Sequence, residues 1–252
     1  MTRSRALPRP GEIHLWEGAT ETDTAGAAPP PGGSVLSADE RERLRRLRHP
    51  VAAARYAAAH TAVRAVLARY LGTEPGKVAL GRAACPQCGD PRHGRPVVLH
   101  HELTFSLSRS GPSWLLALST GHPVGVDLER ERPVDLDAMA RSALSPAERA
   151  GLARADDRRR EWLFRCWTRK EAVVKASGAG VGAPLRRVET HPAAAGSVLV
   201  PHPVGGGGRE WWRVRSLAVG PGRHAAVAVP ASAPVGRVLL RRWPSGSAPA
   251  PQ

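Results

Sequence analysis

The order of helix and strand signals in this sequence repeats, and the repetition constrains the fold more than any other feature. Ser37-Ala-Asp-Glu40 and Ser145-Pro-Ala-Glu148 both match a capping box, in which serine and glutamate satisfy the first backbone groups of a helix. A longer helix is predicted after each box, from about Val51 to Leu71 and from about Glu161 to Ala176. Matching segments lie roughly 110 residues apart, about the length of one small domain.

A β-hairpin is predicted after each helical part. Thr104–Ser110 pairs with Trp114–Ser119, and Trp211–Val219 pairs with His224–Val229. The sequence therefore predicts an α+β fold of two similar halves related by pseudo-twofold symmetry, with the active site at their interface. The identity between the repeats is faint, so a coincidental order of elements is the alternative. The predicted divisions are residues 1–123, residues 124–244 and a disordered tail at 245–252.

Composition limits the classes of protein that this chain can belong to. Hydrophobic residues make up 42% of 252 residues, which is enough for a core and argues against global disorder. No apolar run reaches the roughly 20 residues of a membrane helix, and residues 1–16 lack the apolar segment of a secretory signal. Three cysteines are too few for a disulfide framework, so we expect a cytoplasmic protein. Loops are predicted at Thr20–Ser34 and at the glycine-rich stretch Pro201–Arg209.

The formal net charge is +15, which raises the possibility of a nucleic-acid-binding protein. Only Lys77, Lys170 and Lys175 are lysines, and the other basic residues are arginines. Asparagine is absent, which indicates the codon bias of a GC-rich genome, so part of the arginine excess is compositional background. The two lysines in one short segment, Lys170 and Lys175, suggest positions where arginine would not serve.

Two carboxylates follow the predicted turn before the second half. In a strand over Val124–Glu129, Asp127 and Glu129 point to the same side, because side chains alternate along a strand. Two neighbouring acids with oxygen ligands only are typical of a Mg²⁺ site. The alternative is a strand that ends in solvent, with the acids neutralised by Arg130 and Arg132.

The second long helix carries a third acid. Trp167, Glu171 and Lys175 lie on one helical face, since they are spaced four residues apart. One interpretation makes Glu171 a metal ligand or a general base and places Lys175 beside a phosphate, as a phosphoryl-type transfer requires. The other is an ordinary surface ion pair, which stabilises a helix by a few tenths of a kcal/mol.

Together these segments resemble a known family. Gly125-Val-Asp127-Leu-Glu129, followed about forty residues later by Trp167-Thr-Arg-Lys170-Glu171-Ala-Val-Val-Lys175, is similar to the paired signature of 4′-phosphopantetheinyl transferases. The resemblance covers roughly Ser37–Val229 and favours the monomeric surfactin-synthetase type. It implies transfer of the phosphopantetheine arm of coenzyme A to a serine of an acyl or peptidyl carrier protein, with release of adenosine 3′,5′-bisphosphate.

The resemblance also implies roles for individual residues. Asp127, Glu129 and Glu171 would hold Mg²⁺, Glu171 would serve as the base for the carrier serine, and Lys175 would contact the phosphates. Glu171 and Lys175 are therefore the expected catalytic residues. The expected coenzyme A contacts, some with a different side chain from the family's, are Arg55, His60, Arg95, Pro96, Ser108, Arg109, Asp127 and Lys175.

Two of those contacts depart from the family pattern. In Gly94-Arg95-Pro96 an arginine replaces the family's lysine, and Arg109 replaces a histidine between two serines. Arginine can hold a phosphate with two parallel hydrogen bonds, so both changes are compatible with phosphate binding. Arg55 and His60 are the weaker assignments, since His60 falls where some members have arginine.

Other motifs leave alternatives open. Cys85-Pro-Gln-Cys88 with His93 is half of a zinc site, and since no second such pair exists a tight turn is the favoured interpretation. A nucleic-acid-binding protein would leave the three acids unexplained, and no feature favours a catalytically inactive relative. Five arginines near the motif helix are predicted to attract acidic carrier proteins: Arg158, Arg159, Arg160, Arg165 and Arg169.

Overall fold

The computed structural model describes residues 5–20, 35–180, 182–204, 208–234 and 236–244. The predicted tail at 245–252 and all but Thr20 of the predicted loop at 20–34 lie outside these residues. The α-helices are α1 (Ala38–Arg45), α2 (Pro50–Leu71), α3 (Leu136–Ala143), α4 (Pro146–Ala153) and α5 (Arg159–Ser177). The strands are β1 (Ile13–Ala19), β2 (Leu80–Arg82), β3 (Pro96–Val98), β4 (Leu103–Ser110), β5 (Ser113–Thr120), β6 (Gly125–Arg130), β7 (Val198–Val204), β8 (Gly208–Leu217), β9 (Arg223–Pro230) and β10 (Val238–Arg242).

Two four-stranded sheets carry the fold, with strand orders β10-β1-β5-β4 and β6-β9-β8-β7. Helix α2 packs on the outer face of the first sheet, where Val66 meets Trp16 and Leu116 in one buried cluster. Helix α5 packs in the same way on the second sheet, where Val173 meets Trp212. The predicted α+β architecture of two similar halves is confirmed.

The inner faces of the two sheets pack against each other. Leu15 and Leu115 from the first sheet share a buried cluster with Val126, Leu128 and Val227 from the second. Successive strand residues face opposite sides, so the residues between these apolar ones face the helices. Asp127 therefore lies on the side of β6 that faces α5, as required if it is to meet the acid on that helix.

The helix ends agree with the sequence signals. Both capping boxes form, with Ser37 accepting from the backbone N–H of Glu40 and Ser145 from that of Glu148. The two long helices end at glycines with φ of +63° at Gly72 and +76° at Gly178. This left-handed conformation is accessible to glycine without the steric cost that a Cβ atom adds.

A buried ion pair joins the capping box of the first half to its long helix. Arg64 of α2 donates from Nε to Glu40 Oε2 at 2.6 Å. Its Nη1 donates to the carbonyls of Pro75 and Val78 at 3.1 and 3.0 Å. Besides capping α1, Glu40 thus links α1 to α2 through Arg64, and Arg64 links both helices to the short helical turn that follows α2.

The second half repeats this arrangement. Lys170 of α5 lies 2.6 Å from Glu148 Oε2 through its Nζ, and it donates to the carbonyls of Leu185 and Val188. Glu148 is the capping glutamate of α4, as Glu40 is of α1. A repeated network of acid, cation and two carbonyls supports duplication over a coincidental order of elements.

Two regions differ from the prediction. The prediction of a loop at Pro201–Arg209 is wrong in two places. Pro201–Val204 belong to β7, and residues 208–209 belong to β8. Residues 205–207 lie outside the described chain. Strand β10 pairs in parallel with β1, starting with Ile13 opposite Val238. The predicted boundary at 123/124 therefore separates the sheets except for β10, which comes from the second part of the chain and completes the first sheet.

Candidate active site

The candidate active site lies where β4 and β6, one strand from each sheet, meet helix α5. Backbone N–H groups of β6 donate to serine hydroxyls of β4, from Val126 to Ser106 at 3.1 Å and from Arg130 to Ser110 at 3.0 Å. On the other side, a Cβ atom at Gly125 would lie 2.0 Å from the carbonyl oxygen of Ala172. Glycine at this position lets β6 approach α5 closely enough for their polar side chains to meet.

Asp127 is the buried centre of the site, with 3% of its surface exposed. Its Oδ1 accepts from Lys175 Nζ at 2.6 Å and from Ser108 Oγ at 2.8 Å. Lys175 Nζ also donates to Ser108 Oγ at 3.0 Å. Asp127 Oδ2 is buried and has no hydrogen-bond partner among the described residues. A buried carboxylate oxygen without a partner is costly, which is typical of a site that meets a ligand.

Glu171 lies across from Asp127 on α5 and is half-buried. Burial raises the pKa of Glu171 to about 7, and the negative charges of Asp127 and Glu129 add to the effect while Lys175 opposes it. Near neutral pH the Glu171 carboxyl group is therefore ionised in about half of the molecules, and this ionised form can accept a proton. The mutual repulsion also shows that the three predicted acids lie in one electrostatic neighbourhood.

Glu129 occupies the rim of the site. Its Oε2 accepts from Ser110 Oγ at 2.8 Å and from Arg132 Nη1 at 3.0 Å. The open alternative, in which an arginine neutralises an acid at the end of the strand, thus describes Glu129. It does not describe Asp127, which is buried.

The site's fit to a divalent cation can be judged from its oxygen atoms. In the present side-chain arrangement, no three His, Cys, Asp or Glu groups of the described residues converge closely enough to bind a metal ion. Lys175 and Arg132 instead compensate two of the acids. The unpartnered Oδ2 of Asp127 and the raised pKa of Glu171 reveal uncompensated negative charge, so this all-oxygen donor set fits Mg²⁺ chemically.

Arg95 and Pro96 lie beside the site, at the start of β3. Arg95 Nη1 donates to the carbonyl of Ala176 near the end of α5 at 3.5 Å, and its Nε is buried without a partner among the described residues. Burial lowers the pKa of Arg95. At Gly94 a Cβ atom would lie 1.6 Å from the carbonyl oxygen of Ala83, so this position requires glycine. An incompletely paired arginine here is suited to bind an anion.

The remaining predicted nucleotide contacts form a second group around α2. Arg109 lies 5.0 Å from the ring centre of Tyr56, and Tyr56 stacks on His60 with ring centroids 4.0 Å apart. His60 is held through Nδ1 by Glu40 Oε1 at 3.0 Å. Arg55 precedes Tyr56 on the same helix. Burial lowers the pKa of both Arg109 and His60.

Ser108 and Arg109 were predicted as neighbouring coenzyme A contacts, but alternation along β4 turns their side chains to different partners. Ser108 contacts Asp127 and Lys175, whereas Arg109 faces α2. Two features were not predicted: Tyr56, which is spaced four residues from His60, and the contact of Ser110 with Glu129. The alternation of Ser106, Ser108 and Ser110 was the available signal, since it predicts one polar strand face.

The five arginines near α5 do not form one docking surface. Arg169 is fully buried and donates to Ser216 Oγ and to the carbonyls of Thr190, His191 and Ala194, so its predicted docking role is wrong. Arg159 pairs with Asp137, and Arg160 donates to the carbonyl of Arg132. The remaining two, Arg158 and Arg165, line a groove of about 310 Å³ together with Arg154 and Trp162.

Several known proteins are similar in sequence to this chain over 60% to 73% of its length. A family model described as the 4′-phosphopantetheinyl transferase superfamily matches residues 123–229. The 4′-phosphopantetheinyl transferase HetI of Nostoc sp. is 32% identical over 196 residues, which cover 73% of this chain and 78% of that protein. A 4′-phosphopantetheinyl transferase of Bacillus subtilis is 26% identical over 174 residues, covering 68% of this chain and 73% of its own. The transferase Sfp of Bacillus subtilis strain 168 is 26% identical over 154 residues, covering 60% and 64%.

These likenesses support the interpretation that the paired motif suggested, and they give no support to the nucleic-acid-binding alternative. The matched residues 123–229 include β6 and α5, which carry the three acids and Lys175. Among the described residues, no helix is both long and apolar enough to cross a membrane.

Proposed function

This chain belongs to the 4′-phosphopantetheinyl transferase superfamily and is an enzyme of that type, and from this premise we propose a mechanism with Glu171 and Lys175 as its catalytic residues. The enzyme transfers the 4′-phosphopantetheine arm of coenzyme A to a serine of an acyl or peptidyl carrier protein. The observation that carries the mechanism is the convergence of Asp127, Lys175 and Glu171 at the junction of the two halves.

In the proposed reaction the carrier serine oxygen attacks the phosphorus that bears the pantetheine arm. A new P–O bond forms to the serine, the pyrophosphate P–O bond breaks, and adenosine 3′,5′-bisphosphate leaves. Glu171 takes the serine proton, for which a carboxyl group with a pKa of about 7 is well suited near neutral pH.

Lys175 provides positive charge beside the reacting phosphate. Its Nζ is held by Asp127 and Ser108, so its position is set before a ligand arrives. Asp127, Glu129 and Glu171 are the residues that would hold Mg²⁺, which when bound supplies neutralisation of the pyrophosphate charge. Arg95 and Arg109, both partly desolvated, are the proposed partners of the nucleotide phosphates.

We place the enzyme in a reducing cytoplasm as a monomer. Its three cysteines, Cys85, Cys88 and Cys166, are free thiols, which is usual in that compartment. The exposed guanidinium groups of Arg154 and Arg158, which have no carboxylate partner among the described residues, favour an acidic carrier.

Mass spectrometry of an apo carrier protein incubated with the enzyme, coenzyme A and Mg²⁺ tests the activity. We expect one phosphopantetheine per carrier, and a loss of about 100-fold or more in rate for Glu171→Gln with an unchanged fold. Glu42→Gln is the matched control, because Glu42 likewise precedes a basic residue, Arg46, by four positions at a helix but lies outside the site. Wild-type turnover by Glu171→Gln rejects the base assignment, and an unmodified carrier rejects the activity.

A further inference from the structure

The loop between β2 and β3 holds two thiols that the transfer reaction does not use. Cys85 and Cys88 lie on one tight turn, closed by a hydrogen bond from the backbone N–H of Gly89 to the carbonyl of Cys85 at 2.8 Å. A second bond runs from the N–H of Cys85 to the carbonyl of Asp90 at 3.2 Å. Both thiols are free, and their side chains interact with each other across the turn.

Cys88 has the surroundings of a nucleophile. It is exposed, and its Sγ lies 3.3 Å from Nδ1 of His93. An imidazole in contact with a thiol can take its proton, and the thiolate is the reactive form of cysteine. Cys88 therefore combines an exposed thiol with a neighbouring group that can accept its proton.

Cys85 is the buried member of the pair. The backbone N–H groups of Gln87 and Cys88 lower the pKa of the Cys85 thiol, and the Cys88 side chain adds to this. The pKa of the Cys166 thiol changes in the opposite direction, because burial in an apolar cluster raises it. Hydrogen-bond donors therefore lower the thiol pKa of Cys85, whereas burial raises the thiol pKa of Cys166.

We propose that Cys85 and Cys88 form a thiol–disulfide exchange pair that reacts with small-molecule disulfides. Cys88 Sγ attacks one sulfur of the disulfide, its proton passes to His93, and the first small thiolate leaves. Cys85 Sγ then attacks Cys88 Sγ, the mixed S–S bond breaks, and the Cys85 proton passes to the departing sulfur, which leaves as the second small thiol. The protein dithiol is oxidised to a disulfide by two electrons, and the small disulfide is reduced to two thiols.

The position of the loop makes this exchange relevant to the whole molecule. Pro86 lies 3.6 Å from the point where a Cβ atom of Gly178 would stand, and Cys85 Sγ lies 3.9 Å from the carbonyl of Ala179. Both residues follow directly after α5. The pair thus sits at a contact between the first half and the helix that carries Glu171.

An exchange experiment on the reduced protein tests the proposal. The protein is incubated with coenzyme A disulfide plus coenzyme A, or with glutathione disulfide plus glutathione. Remaining thiols are capped with a maleimide and the peptides are analysed by mass spectrometry. We expect a Cys85–Cys88 disulfide with either oxidant, and the faster oxidant identifies the preferred disulfide. Cys85→Ser should accumulate a mixed disulfide on Cys88, and His93→Gln should slow its formation.

A cysteine variant outside the loop and a zinc measurement serve as controls. Cys166→Ala should leave the exchange unchanged, since Cys166 is fully buried elsewhere. The proposal is overturned if Cys85→Ser collects no mixed disulfide, or if the purified protein holds stoichiometric zinc that protects both thiols. None of these readouts depends on carrier modification, so failure here is distinguishable from failure of the transferase mechanism.

Discussion

Replacement of Lys170 by methionine isolates the buried ion pair of the second half. Lys170 is fully buried, and its partner Glu148 is 2% exposed. Methionine retains most of the side-chain length and a good helix propensity, so the variant removes the charge with little change in volume. What remains is a carboxylate enclosed by protein without its cation.

The size of the effect follows from the contacts that survive. Removing one partner of a buried ion pair costs about 3–5 kcal/mol. Glu148 keeps hydrogen bonds from the N–H of Ser145 at 2.9 Å and from the N–H and hydroxyl of Thr190 at 2.9 and 2.8 Å. These donors place the expected loss of unfolding free energy near the lower end, at about 3 kcal/mol.

Urea unfolding followed by circular dichroism measures this loss. With a slope of about 2–3 kcal/mol per molar urea, the midpoint should fall by roughly 1 M. Arg64→Met is the internal comparison, and we expect a smaller shift because the Glu40 side chain is 12% exposed and retains His60 as a partner. Glu148→Gln combined with Lys170→Met should recover part of the stability, since no buried charge is left.

Two results would refute this reasoning. One is a loss below about 1 kcal/mol for Lys170→Met, within the range of an ordinary neutral hydrogen bond. The other is a double variant that is no more stable than the single one, which would mean that the uncompensated charge is not the cause.

Burial favours a raised pKa for Glu40, but hydrogen bonds from His60, Ser37 and Arg64 outweigh it and hold the pKa at about 2. Because this folded-state pKa lies below the usual 4.5, the stabilisation exists above pH 4.5 and is lost as the pH falls toward 2; the wild type should lose about 3 kcal/mol more than Glu40→Gln over that range in acid unfolding. Gly125→Ala places a methyl group against the carbonyl of Ala172 and should lower both the melting temperature and the transfer rate; unchanged values would contradict the close approach of β6 and α5. Arg109→Ala should reduce the preference for coenzyme A over its 3′-dephospho form in competing turnover assays, whereas an unchanged ratio would place Arg109 away from the 3′-phosphate.

Local signals predicted the helices and hairpins of this fold well. The capping boxes at Ser37 and Ser145 and the glycines that end α2 and α5 act within a few residues, so the sequence alone reveals them. Strand β7 was missed because the glycine run that follows Pro201 predicts a loop. The structure accommodates this proline because β7 is an edge strand, where one missing backbone donor costs little.

The site was predicted in part for the same reason. Strand and helix periodicity placed Asp127 and Glu129 on one face and Glu171 with Lys175 on another, and the packing of β6 on α5 joins them. Periodicity could not show that Arg169 is buried, since its partners are backbone carbonyls of a distant loop. The stack of Tyr56 under Arg109 likewise depends on a tertiary contact between α2 and β4.

The pairing of β10 with β1 has a consequence for how the chain is made. A ribosome releases Ile13 long before Val238, yet these two residues face each other in one sheet. Until β10 emerges, the hydrogen-bonding edge of β1 that β10 later covers stays open to other strands. Such long-range pairing slows folding, because a large loop must close before the contact forms. We therefore expect the first sheet to be completed only after the second half has been synthesised, although the first half comes earlier in the sequence.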